Sequence, residues 1–252
     1  MQLALVSLLL VTLALLGARA VSRERRDYGK FKRMRTTGAR QKVYARWLRE
    51  SFFTFGGLSA AVLLATWSYV PEVLDDARQW SPLAWAVDAL DTPLGAGIAA
   101  GIGILVLVLL GLPILLLRGQ VDEIPTVGDV GALLPRNRVE LRYGFALGTN
   151  AGIVEELLFR FALPALLFGI IGDGLAAFLL ASVLFGLLHI YQGPVGVLSS
   201  TILGLVFCAV YLLSGSILLV IVVHALFDLR SLVLIPMVVN RVHRISDRSA
   251  AG

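Results

Sequence analysis

The chain has 252 residues, 58% of them hydrophobic and 15% charged, and a mean hydropathy of +0.84, which is too apolar for an ordinary water-soluble domain. Its apolar runs approach the roughly 20 residues that a helix rising about 1.5 Å per residue needs to cross a hydrocarbon core, and they lack the period-2 alternation of a spanning β-barrel. The net charge of +5 sits between those runs, where Lys and Arg hold loops on the cytoplasmic side; it speaks for topology and not for a nucleic-acid partner. The expected fold is all-α, a polytopic transmembrane helix bundle of about seven spans.

The opening run, residues 3–21, has no Lys or Arg before it, whereas Arg23, Arg25, Arg26, Lys30, Lys32, Arg33 and Arg35 follow. That asymmetry favours an uncleaved helix with its N-terminus outside, although Ala18-Arg19-Ala20 resembles the cleavage site of a signal peptide. A cleaved leader would leave six spans. Residues 22–50 hold eleven Lys and Arg, with Tyr28, Phe31, Tyr44 and Trp47 among them, a mixture suited to an anionic membrane surface. A second span is predicted over residues 52–70. An outside loop with Glu72, Asp75, Asp76, Asp88 and Asp91 against Arg78 leads into a third, residues 94–117, where Gly97 and Gly101 offer a small-xxx-small face to a neighbouring helix.

Arg118, Arg136, Arg138 and Arg142 mark the next connection as cytoplasmic. Four further spans are predicted over residues 143–168, 174–190, 195–213 and 216–239, and the tail with Arg241, Arg244 and Arg248 ends inside. The chain thus divides into three N-terminal helices with a basic cytoplasmic loop (1–142), a helical core carrying the polar residues (143–240) and a short tail (241–252). The expected location is the cytoplasmic (inner) membrane of a bacterium. The single cysteine, Cys208, lies in an apolar run, cannot form an intramolecular disulfide and reads as a packing residue.

The fourth span holds Glu155, Glu156 and Arg160, and an ionisable group near mid-bilayer costs at least about 2.5–3.5 kcal/mol. Glu156 and Arg160 form an i, i+4 pair in the favourable order, so they are expected to neutralise each other and leave Glu155 for chemistry. On the same helix Gly144, Gly148 and Gly152 leave one face flat for a close partner. Asn150 is a further hydrogen-bonding group there. His189 and His224 also fall within apolar spans, and Asp228 is i, i+4 from His224, where it can orient the imidazole, share its proton or help ligate a metal. His243, beside Arg241 and Arg244, reads as a surface residue, and Ser199, Ser200 and Thr201 as hydrogen bonded along or between helices.

A water held among Glu155, His189 and His224 could be activated by the carboxylate as general base, with a histidine or Asp228 stabilising the oxyanion of amide hydrolysis. A divalent metal such as zinc on His189, His224 and a carboxylate would serve the same reaction. The sequence leaves both open. The span ends place the three residues at depths differing by about 10 Å.

Taken in order, Glu155-Glu156-Leu157-Leu158-Phe159-Arg160, Phe185 to His189 and His224 to Asp228 resemble the CPBP family of intramembrane proteases, also called the Abi or CAAX prenyl endopeptidase family and often labelled metalloproteases. The family patterns are Glu-Glu-x-x-x-Arg, Phe-x-x-x-His and His-x-x-x-Asn or Asp. The resemblance covers residues 143–239 and implies an endopeptidase acting on a peptide or membrane-tethered protein in the lipid bilayer. It makes Glu155 the water-activating base, beside Glu156 and Arg160, with His189 and His224 completing the centre. Asp228 stands where the prenyl-protein endopeptidases usually have Asn. A non-catalytic immunity or scaffold protein is the alternative, with a proton-coupled transporter behind it.

Overall fold

A computed structural model describes residues 2–22, 27–116 and 126–245; Arg23, Arg25, Arg26, Arg118 and Arg248 lie outside them. Nine helices of ten or more residues occur among the described residues, with no strand. They are α1 (Gln2–Ser22), α2 (Thr37–Thr66), α3 (Tyr69–Arg78), α4 (Ser81–Leu90), α5 (Pro93–Leu116), α6 (138–171), α7 (Gly174–Leu187), α8 (Gly193–Ser214) and α9 (Ile217–Val238). The all-α bundle is therefore as the sequence predicts.

Five of these helices, α1, α2, α5, α8 and α9, are long and apolar enough to cross a membrane. Helix α7, with 14 residues, is about 21 Å long and falls short of a full hydrocarbon core. Helix α6 has the length but carries Glu155, Glu156 and Arg160. It runs from Arg138–Glu156 through a π-helical turn, Leu157–Ala162, into Leu163–Ile171.

Two predicted loops are corrected. The acidic segment after the second span is helical, because Val70, Val73 and Ala77 form one buried face of α3. Its charges finish other helices: Asp76 Oδ2 accepts from Gly174 N at 2.7 Å, and Arg78 Nε donates to Leu212 O at 2.7 Å, serving orphan groups at the start of α7 and the end of α8. The second span begins earlier than predicted, since α2 is already helical through the basic stretch from Thr37.

The aromatic residues of the basic segment turn inward. Tyr28, Phe31, Tyr44 and Trp47 form a small core with Tyr191. Beside it Arg40 and Glu140, both fully buried, join α2 to α6. Arg40 Nε donates to Glu140 Oε1 at 3.0 Å, and Nη2 donates to Tyr44 Oη at 2.8 Å and to Ala132 O at 3.1 Å. Asn137 caps α6 by accepting from Val139 N and Glu140 N. Arg40→Ala strands the Glu140 carboxylate and is expected to cost about 3–5 kcal/mol in denaturant unfolding in detergent. Arg40→Leu combined with Glu140→Leu should recover most of that loss; no recovery would mean that Arg40 acts through packing alone.

The face of Gly97 and Gly101 on α5 meets no partner: a Cβ at either position finds no atom within 4 Å among the described residues. The helix stands at the periphery with most of its apolar side chains exposed and Ile114 buried, as a lipid-facing helix does. Arg230 of α9 reaches it, with Nε donating to Leu110 O at 2.8 Å.

Candidate active site

The polar residues are gathered by the flat face of α6. A Cβ at Gly144 would lie 2.7 Å from Leu232 O, one at Gly148 3.0 Å from Asp228 Cβ, and one at Gly152 2.8 Å from both Ala225 Cβ and Ala225 N. The close partner expected from the four-residue glycine spacing is thus α9, the helix that carries His224 and Asp228. Gly152→Ala is expected to cost about 1–3 kcal/mol by overpacking, read as a lower thermal midpoint in detergent together with lost activity; an unchanged midpoint would show that α9 can move away freely. Asn150 on the same helix donates Nδ2–H to Ser51 Oγ at 3.1 Å, tying α6 to α2.

Across this contact lies a buried charge cluster. Glu156, Arg160 and His224 are 0%, 1% and 3% exposed. Glu156 Oε2 is 3.1 Å from Arg160 Nε, the expected i, i+4 pair, and Glu156 Oε1 is 2.6 Å from His224 Nδ1. An ionised carboxylate only accepts, so His224 Nδ1 carries the proton in that bond. Arg160 Nη2 donates to Gly204 O at 2.9 Å, and the guanidinium lies 4.9 Å from the Phe185 ring centre. The His224 ring stacks on Phe207 with centroids 4.6 Å apart. Asp228 Oδ2 is 3.8 Å from His224 Nε2, too far for a direct hydrogen bond. The nearest carboxylate to His224 is therefore Glu156, from another helix, and not the i, i+4 neighbour.

Glu155 and His189 belong to a second group. Both line a cavity of about 20 Å³ together with Arg19, Phe159, Phe185 and Tyr191, a volume that admits about one water. Helix α7 ends at Leu187, and His189 follows in the turn. There His189 Nδ1 donates to Phe185 O at 2.8 Å, since a carbonyl only accepts, so in the neutral ring Nε2 is the acceptor. The ring of Phe185 joins the two groups: its centroid is 4.9 Å from that of His189 and 6.0 Å from that of His224. Phe185 thus lies between the water-sized cavity and the buried charge cluster.

Sequence reasoning passed over Arg19 and Tyr191, which line the same cavity. Arg19 had one signal, a guanidinium within an otherwise apolar run; Tyr191 had none. Ser199 and Thr201 bond to carbonyls of their own helix, Gly196 O and Val197 O. Cys208 is buried, and His243 is exposed beside Met237 O. Among the described residues no three His, Cys, Asp or Glu side chains gather as a metal-binding group.

The fold defines an integral membrane helical bundle in which α6, the turn after α7 and α9 carry carboxylates and histidines in two adjoining groups. Residues 138–230, which include all six candidate residues, match the family described as Type II CAAX prenyl endopeptidase Rce1-like. This segment is thus similar to the CPBP/CAAX proteases. No curated protein and no solved structure matches it.

Proposed function

We propose that the chain is an intramembrane endopeptidase that hydrolyses a peptide bond of a peptide or membrane-tethered protein. The single observation that carries the proposal is the water-sized cavity lined by both Glu155 and His189, two residues of the segment that matches a protease family. Glu155 takes a proton from the water as its oxygen attacks the scissile carbonyl, and later delivers that proton to the leaving amine. His189, oriented by Phe185 O, accepts or donates through Nε2 to align the water. Glu156, itself paired with Arg160, accepts from His224 Nδ1–H; with Nε2 protonated as well, the imidazolium offers its Nε2–H to the developing oxyanion. The topology that goes with this reading has the N-terminus outside and the C-terminus in the cytoplasm, supported by the basic stretches at residues 30–49 and 136–142.

The test is cleavage of a peptide library, with prenylated and unprenylated C-terminal peptides, by detergent-purified wild type and Glu155→Gln side by side. Cleavage by wild type alone supports the proposal and defines the substrate class. Cleavage by both, or by neither, goes against it, and the second outcome favours a scaffold.

A further inference from the structure

Of the two candidate histidines, only His224 has a long helix behind it. His189 stands in the break between α7 and α8: α7 ends at Leu187, a single 3-10 turn, Ile190–Gln192, follows, and α8 opens at Gly193 with φ +78°. Within the break His189 N donates to Gly186 O and Gln192 N to His189 O, both at 2.9 Å. A lone turn of this kind lacks the cooperative ladder of a helix. Further support comes from outside the family-matched segment. Asp129 N donates to Gln192 O at 2.9 Å. Gly128, with φ +77°, fits closely against the same turn, since a Cβ there would lie 3.0 Å from Gly196 Cα and 3.1 Å from Gln192 O. Tyr28 completes the contact: its hydroxyl donates to Asp129 O, and its ring meets that of Tyr191 edge-on with centroids 5.4 Å apart. The Tyr191 ring in turn lies 6.0 Å from the His189 ring, and its hydroxyl accepts from Gln192 Nε2 at 3.0 Å.

Both supporting pieces are fastened to α2. Arg40 Nη2 donates to Ala132 O at 3.1 Å and to Leu134 O at 3.2 Å, and Tyr44 Oη donates to Leu133 O at 3.1 Å. On the other side Arg46 Nη2 is 3.0 Å from Asp27 Oδ1. The Lys32–Asp129 ion pair joins the two pieces but is half-exposed, so it adds little.

We propose that residues 27–34 and 126–134 form a clamp that positions His189, with Tyr28 and Gly128 as its positioning residues. The catalytic task of His189 rests on the endopeptidase reading; the clamp itself does not. Neither Tyr28 nor Gly128 lines the water-sized cavity, so they act through Tyr191 and Gln192. A group displaced by about 1 Å can lose about 10²-fold in rate, which gives the support of one turn a measurable weight. The aromatic residues of the basic segment, suited by composition to a membrane surface, thereby acquire a task inside the protein.

The chain has three histidines, so ring signals of isotope-labelled histidine in detergent-purified protein are assigned by replacing each in turn. Tyr28→Leu and Gly128→Ala should shift or split the His189 signal and leave that of His224 in place. In turnover both should lower kcat by about 10–100-fold and leave KM within a few-fold. Tyr28→Phe keeps the ring against Tyr191 and loses only the hydroxyl bond, so it should shift the His189 signal less and lower kcat by no more than about 10-fold. Where a larger change prevents folding, Tyr28→Phe decides. Phe31→Leu is the control: Phe31 belongs to the same aromatic core but packs on Tyr44 and Trp47, so this change should lower the thermal midpoint without moving the His189 signal. An unmoved His189 signal in the folded variants, or an equal movement in Phe31→Leu, overturns the clamp. A moved signal in a protein whose wild type cleaves no peptide leaves the clamp standing and defeats the endopeptidase reading instead.

Discussion

Glu155→Gln is expected to leave the stability within about 1 kcal/mol of wild type and to lower kcat by about 10²–10⁴-fold. Glutamine keeps the size of the side chain and one acceptor oxygen but cannot take a proton from water. Because Glu155 is half-buried on a cavity wall, the change strands no fully buried charge. Its neighbour should behave differently. Glu156 is wholly buried and touches both Arg160 and His224, so Glu156→Gln removes the counter-charge of a buried guanidinium and should lower stability as well as rate. Initial rates and thermal midpoints of the two variants, measured together, separate a base from a support. Rates that fall equally with equal loss of stability would remove the distinct role given to Glu155.

The second large effect falls on Arg160. Arg160→Met keeps the volume but leaves the Glu156 carboxylate buried without its cation and Gly204 O without its donor; the expected cost is about 3–5 kcal/mol, read as unfolding in detergent. Arg160→Lys should restore little. A single ammonium cannot span Glu156 and Gly204 O together, nor lie flat on the rings of Phe185 and Phe207. A loss below about 1 kcal/mol for Arg160→Met would mean that His224 alone neutralises Glu156.

The features that the sequence made legible are those with a one-dimensional rule behind them. Gly144, Gly148 and Gly152 declare a close-packing face because residues four apart share a side of a helix, and Glu156 declares Arg160 for the same reason. Which helix fills the face is a matter of three dimensions, and so is the partner of His224. Four-residue spacing brought Asp228 within reach, yet the shorter contact comes from Glu156, 68 positions earlier. Helix α3 was read as a loop because its carboxylates dominate its composition, although Val70, Val73 and Ala77 had already marked a buried face. Arg40 was counted with the surface charges of its neighbours; only Glu140, a hundred positions away, makes a buried place tolerable for it. Arg19 was hidden by the apolar run around it, where one cation reads as an interruption and not as part of a cavity wall.

The π-helical turn at Leu157–Ala162 has a consequence for how chain length and direction are linked in α6. One residue more than an α-helical turn requires rotates everything beyond it by about 100°. The half before the turn answers to α9 through its glycines, and the half after it, from Leu163, is buried toward α1 and α3, where Gly169 abuts Leu5 and Tyr69. A straight helix could not satisfy both sets of neighbours with the same residues. The surplus residue therefore works as a phase shifter, and deleting Phe161, which keeps the Glu156–Arg160 spacing, would turn an otherwise intact apolar face away from its partners with no polar residue changed at all.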